Sequence, residues 1–182
     1  MKYTLLDIPD VVLIEPVIYG DHRGFFMETF RDGEFRQNVA DVRFVQDNHS
    51  RSLQGTLRGL HYQIEQTQGK LARVISGEVF DVAVDIRKSS PTFGQWAGCI
   101  LSSENRHMLW VPPGFAHGFY VLSKEAEFLY KCTDYYAPEH ECAIRWDDPD
   151  IHIDWPLIPG LDPVLSGKDQ QAQAFKTAQV FE

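Results

Sequence analysis

Cysteine is scarce in this chain of 182 residues, which contains only Cys99, Cys132 and Cys142. Their number is odd, and their spacing includes neither a C-x-x-C pair nor a zinc-binding pattern. We therefore expect three reduced thiols in core or surface positions rather than a disulfide framework or a cysteine-based metal site. Such usage is typical of a cytosolic protein.

Long apolar runs are absent as well. No run approaches the roughly 20 residues that a membrane-spanning helix needs. The N-terminal segment reaches Pro9 and Asp10 before the apolar region of a signal peptide could form. The sequence therefore predicts a cytoplasmic protein without a membrane partner.

Basic residues are fewer than acidic ones. The chain has 17 Lys and Arg and 26 Asp and Glu, and its formal net charge is −9. Nucleic acids and membrane surfaces are themselves anionic, so this balance argues against both as partners. An anionic small molecule remains compatible with it. Such a ligand requires a local cluster of Arg and Lys that works against the overall field.

Helix signals are few, and strand-like runs dominate. Short helices are predicted at 32–39 and in the polar tail 166–178, with Ser166 or Asp169 as a cap, and a single turn at 103–105. Runs rich in β-branched and aromatic residues predict strands at 11–14, 43–46, 72–75, 79–86, 96–101, 108–111, 118–122, 127–132 and 143–146. Many short strands separated by turn residues favour a sandwich or barrel. We expect one all-β domain, residues 1–182, with terminal extensions wrapped on it.

Two histidines lie in segments that resemble the two signatures of cupin barrels. His61 lies in LRGLHYQ (57–63), and His117 completes a P-x-G-x-x-H pattern. In a metal-binding cupin the first signature supplies H-x-H and a later Glu, and the second supplies one more His. Here the H-x-H position reads His61-Tyr62-Gln63, so a principal ligand is missing. That favours metal-free acid–base chemistry over metal chemistry.

Further motifs follow in order from about residue 15 to residue 170. They are GDHRGFFME (20–28), QDNHS (46–50), LRGLHYQ (57–63), GKL (69–71), GEVFDV (77–82), SPTFG (90–94), GFAHGF (114–119), YKCTDYY (130–136), WDDP (146–149) and LSGKD (165–169). Together they resemble the dTDP-4-dehydrorhamnose 3,5-epimerase family. The resemblance implies a cupin-type double-stranded β-helix, an antiparallel jelly-roll barrel, that forms a homodimer and uses no metal or other cofactor.

The resemblance also implies a reaction, the inversion of C3 and C5 of dTDP-4-dehydro-6-deoxy-D-glucose on the route to dTDP-L-rhamnose. Both carbons flank the C4 ketone, so the chemistry needs a base, an acid on the opposite face and a positive charge near the carbonyl oxygen. His61 is the candidate base because imidazole titrates near neutral pH. Tyr130 is the candidate acid, and Lys70 the candidate stabiliser of the enolate. By resemblance, Asp169 forms a dyad with His61.

Substrate-binding residues are predicted as well. Arg23, Arg58 and Lys168 are the expected cations for the diphosphate. His117 is read as a polar contact to the sugar or diphosphate. By resemblance, the nucleotide-sugar site is also lined by Glu28, Gln46, Asp47, Asn48 and Glu141. An aromatic platform for thymine could come from Phe26, Tyr135 or Tyr136, although core packing explains each of them equally well.

Three alternatives stay open at this point. A relative on the same scaffold could invert only one carbon or act as a ketoisomerase, and His61 and Tyr130 would serve either reaction. A catalytically silent cupin could bind the sugar, but it would not need the base, the acid and the lysine that are all present. A metal-dependent cupin oxygenase or isomerase is disfavoured by the missing H-x-H.

Overall fold

The computed structural model describes residues 1–182 and contains far more strand than helix. Its strands are β1 (Lys2–Leu5), β2 (Val12–Glu15), β3 (Ile18–Asp21), β4 (Gly24–Met27), β5 (Gln46–Leu53), β6 (Leu57–Gln63), β7 (Lys70–Ser76), β8 (Glu78–Asp85), β9 (Trp96–Ser102), β10 (Met108–Val111), β11 (Phe115–Val121), β12 (Glu125–Cys132) and β13 (Glu141–Ala143). Helical residues are confined to α1 (Asp32–Asn38), α2 (Gly167–Gln170) and 3-10 turns at Pro138–His140 and Phe175–Thr177. None of these helices is long and apolar enough to cross a bilayer.

The strands form two large antiparallel sheets. The six-stranded sheet has the order β1-β2-β10-β7-β12-β5, and the five-stranded sheet has the order β13-β6-β11-β8-β9. Neighbours in space are often distant in sequence, as in a jelly roll. The remaining strands, β3 and β4, pair only with each other and form a separate hairpin. The predicted all-β, cupin-type jelly roll is confirmed.

The main hydrophobic core lies between the two large sheets. The six-stranded sheet contributes inward-facing side chains such as Ala72 and Phe128, and the five-stranded sheet contributes Val79, Leu101 and Phe119. Successive side chains of a strand point to opposite faces of its sheet. Only one face of a strand therefore builds this core, and the other face needs separate cover.

Terminal segments provide that cover. Phe35 of α1 packs edge-on against Trp110 on the outer face of the six-stranded sheet, with ring centroids 5.2 Å apart. The outer face of the five-stranded sheet is covered by residues from beyond β13, including Ile151, Trp155 and Phe181. The predicted extensions therefore wrap both sides of the barrel, and the C-terminal one brings α2 next to β6.

Strands β6 and β11 approach each other unusually closely where two glycines meet. A Cβ atom on Gly59 would lie 2.5 Å from the Cα of Gly118, and a Cβ on Gly118 would lie 2.8 Å from the carbonyl oxygen of Arg58. Real side chains cannot occupy such space, so glycine is required on both strands. The close approach aligns His61 directly opposite His117 in the strand register.

The structure corrects three local expectations. Residues 43–45 form no strand, because Phe44 instead packs against Phe35 and Trp110 as part of the outer cover, and β5 begins only at Gln46. The strand expected at 143–146 lies two residues earlier, at Glu141–Ala143. The helix in the polar tail is a single turn, α2, although Ser166 caps it as predicted.

Candidate active site

A cavity of about 410 Å³ opens between the two sheets at one end of the barrel. Its volume suits a ligand of nucleotide-sugar size. We call it the barrel cavity. It is lined by Gln46, Asn48, Ser50, Arg58, His61, Gln68, Lys70, His117, Gly118, Phe119, Phe128, Tyr130, Tyr136 and Glu141. Eight of the predicted site residues are therefore brought together here.

His61 projects from β6 and is held by a carboxylate from the C-terminal extension. Its Nε2 lies 2.6 Å from Oδ1 of Asp169, which is almost completely buried. Burial alone would raise the pKa of Asp169, but the hydrogen bonds from His61, the Ser166 hydroxyl and the Gly59 amide outweigh it and lower the pKa to about 2. The carboxylate is therefore ionised at neutral pH, and its hydrogen bond fixes the orientation of the imidazole ring.

α2 exists at this position because of a capping box. The Ser166 hydroxyl accepts a hydrogen bond from the Asp169 amide, and the Asp169 side chain accepts one from the Ser166 amide. The motif LSGKD thus encodes both the turn and the carboxylate beneath His61. A four-residue helix has little stability of its own, so its docking on β6 holds Asp169 in place.

Tyr130 faces His61 from the other sheet. It lies on β12, between Asn48 of β5 and Ala72 of β7 in the strand register. Burial raises the pKa of the Tyr130 phenol, and the nearby Arg58 only partly opposes the shift. The hydroxyl therefore remains protonated at neutral pH. An acid on one wall and an imidazole on the opposite wall can address the two faces of a molecule held between them.

Lys70 begins β7 and pairs with Cys132 of β12 in the register, two residues from Tyr130. Burial lowers the pKa of its ammonium group, while Cys132, Asp81 and Glu141 oppose that shift. A compact cation in this semi-enclosed position can stabilise negative charge that develops on a bound carbonyl oxygen, because little water screens it.

His117 belongs to a second carboxylate–imidazole pair. Its Nε2 lies 2.8 Å from Oδ1 of Asp81, and its ring stacks on Phe128. Asp81 is completely buried, and its Oδ2 has no hydrogen-bond partner. The sequence analysis did not identify Asp81 as a site residue. The available signal was its position on the inward face of the alternating run 79–86, where an acidic residue is costly without a function.

Polar side chains occupy the mouth of the barrel cavity. Arg58 donates from Nε to the Ser52 hydroxyl at 3.0 Å. Glu141 accepts from the Tyr136 hydroxyl at 2.9 Å and from the Lys168 ammonium at 2.5 Å. Burial alone would raise the pKa of Glu141, but these two bonds lower it, so the rim carries an ionised carboxylate bound to a cation.

Four further predicted residues lie outside the barrel cavity of their own chain. Asp47 points to the outer face of β5, where it pairs with Lys131 at 2.9 Å. Arg23 pairs with Asp21 in the β3–β4 turn, and Glu28 pairs with Arg31 just after that hairpin. Lys168 stands at the rim on Glu141. Of the aromatic candidates, Tyr136 lines the barrel cavity, Tyr135 is exposed beside it, and Phe26 lies on the hairpin.

Several lining residues were not anticipated, namely Ser50, Gln68, Phe119 and Phe128. Phe119 and Phe128 stack with ring centroids 4.4 Å apart and form an apolar floor. Each lies within or beside a quoted motif, yet only the pairing of the sheets shows that they share one cavity. No three His, Cys, Asp or Glu side chains lie together as a metal-ligand group. Both cavity histidines are instead paired one-to-one with carboxylates.

The jelly roll and its opposed acid–base groups assign the chain to the cupin-type enzymes. A sequence model described as dTDP-4-dehydrorhamnose 3,5-epimerase matches residues 5–177. The chain is 60% identical to the dTDP-4-dehydrorhamnose 3,5-epimerase of Pseudomonas aeruginosa, over all of this chain and 99% of that one. It is 56% identical to the enzyme of that name from Shigella flexneri, again over all of this chain and 99% of the other.

A solved structure gives the same result. The dTDP-6-deoxy-D-glucose-3,5-epimerase of Legionella pneumophila, crystallised in complex with dTDP-4-keto-L-rhamnose, superposes with a TM-score of 0.94 at 56% identity. The match covers 97% of this chain and 93% of that one. The chain belongs to the dTDP-4-dehydrorhamnose 3,5-epimerase family, whose members are isomerases.

Proposed function

We propose that this chain inverts C3 and C5 of dTDP-4-dehydro-6-deoxy-D-glucose and so produces dTDP-4-dehydro-L-rhamnose. The observation that carries the proposal is the placement of His61 and Tyr130 on opposite walls of one cavity in a member of this family. Inversion at carbon requires removal of a proton from one face and its return to the other. A base and an acid on a single wall could not do this.

The reaction follows from the geometry. His61 removes the proton from the carbon beside the C4 ketone, and the electron pair moves to the carbonyl oxygen as an enolate. Asp169 stabilises the imidazolium that forms, while the Lys70 ammonium stabilises the enolate oxygen. Tyr130 then delivers a proton to the opposite face of the same carbon. Solvent restores the proton to Tyr130, and His61 releases its own.

Binding of the substrate requires cations in a chain of net charge −9. Arg58 lies inside the barrel cavity and can contact the diphosphate through the part of its guanidinium not used by Ser52. Lys168 stands at the rim on Glu141 and can shift toward a phosphate when one is present. His117, Gln46 and Asn48 offer hydrogen bonds to the sugar.

We also propose that the enzyme acts as a homodimer in which the β3–β4 hairpin reaches a second copy. Tyr19, Phe25 and Phe26 are 64%, 56% and 70% exposed on this hairpin, which pairs with no other strand of its own chain. Aromatic side chains on a projecting ribbon gain free energy when another surface covers them. Arg23 and Glu28, which do not reach the barrel cavity of their own chain, would then serve the partner's site.

The activity is tested by incubating the protein with dTDP-4-dehydro-6-deoxy-D-glucose in deuterated water and locating the label by NMR. Deuterium at both C3 and C5, with inverted configuration, supports the proposal. Label at one carbon would identify a single-site epimerase, and no label would identify a sugar-binding protein. Either result contradicts double inversion.

The dimer is tested separately by sedimentation at micromolar concentration. We expect a species of twice the chain mass. A combined variant, Tyr19→Ser with Phe26→Ser, should weaken association because it removes the exposed aromatic surface. A monomer at all concentrations would contradict this part of the proposal.

A further inference from the structure

Arg106 adopts a backbone conformation that its residue type disfavours. It lies in the loop between β9 and β10 with φ of 56°, in the left-handed region that glycine occupies readily and arginine rarely does. Its Nε is buried and has no hydrogen-bond partner. Both features are unfavourable, and a glycine at this position would avoid both. The side chain must therefore contribute something elsewhere.

The loop holds Arg106 in this conformation firmly. The side-chain oxygen of Asn105 accepts hydrogen bonds from the amides of Ser102 and His107, each at 3.0 Å. The Arg106 amide donates to the Ser102 carbonyl at 2.9 Å. A strained residue persists only where its surroundings fix it in this way. The direction of the Arg106 side chain is therefore set by the loop and not by chance.

The guanidinium of Arg106 lies on the ring of Phe25. Its central carbon is 4.2 Å from the ring centroid, which is the geometry of a cation–π contact. Phe25 belongs to β4, so this contact joins the barrel to the separate hairpin. An isolated two-stranded hairpin is marginally stable in water. Its orientation therefore depends on contacts of this kind.

We propose that Arg106 is a positioning residue that holds the β3–β4 hairpin at the angle at which Arg23 meets the substrate diphosphate in a second copy of the chain. This inference rests on the proposed function, because it needs the hairpin to act across a dimer. Arg23 lies in the turn at the hairpin tip, so a small rotation at Phe25 displaces it over a larger distance. Arg106 itself touches no substrate.

The decisive variant is Arg106→Gly, because it relieves the backbone strain while it removes the contact. Thermal stability should stay unchanged or rise. Amide hydrogen exchange across residues 18–27 should accelerate by about five- to thirtyfold, the range of a partly shielded cation–π contact. KM for the dTDP-sugar should rise by a similar factor with kcat unchanged, since binding of the diphosphate is equally strong in ground and transition states.

A matched control is His152→Gly. His152 is also a non-glycine residue in the left-handed region, with φ of 53°, but it lies in the C-terminal extension far along the chain from the hairpin. Its replacement should raise stability without changing hairpin exchange or KM. Arg106→Lys keeps a cation, so its KM should lie between those of the wild type and Arg106→Gly. Phe25→Leu should reproduce the Arg106→Gly effect, and the double variant should add little to either.

The proposal is overturned if Arg106→Gly leaves KM at the wild-type value, whether or not hairpin exchange accelerates. If kcat alone falls, the variant has damaged the barrel cavity, and the proposal is overturned in that case too. Failure of the proposed function is a different result, since it appears in the wild-type protein as missing label at C3 or C5 or as a monomer.

Discussion

His61 and Tyr130 lie on opposite walls of the barrel cavity, so in the proposed mechanism their loss should have different consequences. His61→Asn removes the proposed base and leaves Asp169 without its imidazole partner. We expect exchange of deuterium at both C3 and C5 to fall by roughly 10²- to 10⁴-fold. The measurement is NMR detection of solvent label in recovered substrate and product. Label entering at the wild-type rate would show that another group is the base.

Tyr130→Phe should separate exchange from inversion. His61 can remove a proton and return a deuteron to the same face without a second acid, so label should still enter with retained configuration. Inversion requires the opposite acid and should fall by roughly 10²- to 10⁴-fold. If exchange and inversion fell equally, the assignment of Tyr130 as the acid of the opposite face would be wrong.

The residues predicted from short motifs mostly converge, and the exceptions have a physical cause. His61, Lys70 and Tyr130 come from segments whose order along the chain resembles one family, and the pairing of β6, β7 and β12 brings them together. Asp81 was missed because a buried acid in a strand has no local pattern of its own. Its partner, His117, lies 36 residues away and becomes a neighbour only through the pairing of β8 with β11.

At the scale of the element, the contact between β6 and β11 can be tested directly. Gly59→Ala places a Cβ 2.5 Å from the backbone of Gly118, which cannot move without breaking the ladder. We expect a loss of about 1–3 kcal/mol in the free energy of unfolding and lower activity, because His61 is displaced. Urea titration and initial rates measure the two effects.

Gly33→Ala provides the control for that substitution. Gly33 lies in α1, and nothing lies within 4 Å of the position where its Cβ would be. Alanine favours the helix by up to about 1 kcal/mol relative to glycine. We therefore expect slightly higher stability and unchanged activity. Equal destabilisation by both alanines would contradict the role of close strand approach.

Strand prediction succeeded where apolar residues dominate a segment and failed where polar residues do. β8 and β10 were predicted almost residue for residue, because their β-branched and aromatic side chains fill the core. β5 was missed, since its sequence QDNHSRSL is polar and its place in the sheet comes from pairing with β12 over eight residue pairs. Residues 43–45 were mistaken for a strand because an apolar run can also pack as irregular cover.

At the scale of the whole molecule, buried carboxylates should make the free energy of unfolding depend on pH. Asp85 is completely buried and accepts hydrogen bonds from Arg87, Ser90 and Thr92. Burial alone would raise its pKa, but these donors lower it to about 2. An unfolded aspartate titrates near 3.9. The stabilisation is therefore complete above about pH 5 and declines as the pH falls below 4 toward 2.

Comparison with Asp85→Asn measures this contribution. We expect the variant to be less stable at pH 6, and the difference from wild type to shrink by roughly 2 kcal/mol as the pH approaches 2. Urea unfolding between pH 6 and pH 3 should already show that the difference in stability between wild type and variant decreases. Asp162→Asn, at an exposed position without an ion pair, should follow the wild-type curve. A constant difference across this range would contradict the lowered pKa of Asp85.

The architecture was predictable from the sequence, but the partner of the hairpin was not. Turn residues between short strands indicated a barrel, and the motif order indicated a particular family. The motifs placed Arg23 and Glu28 in the substrate site, whereas their own chain carries them away from it. If the hairpin serves a second copy, as proposed, the motifs report a contact between two chains, which one chain's sequence does not distinguish from a contact within itself.

His61 and its carboxylate partner come from distant parts of the chain. His61 and Asp169 are 108 residues apart, and the irregular segment from 156 to 165 connects the outer cover to α2. A single peptide-bond cleavage in that segment would turn an intramolecular contact into an association between two pieces. The effective concentration supplied by the chain would then be lost. Catalysis by the nicked enzyme would fall on dilution, whereas the intact enzyme would keep this contact at any concentration.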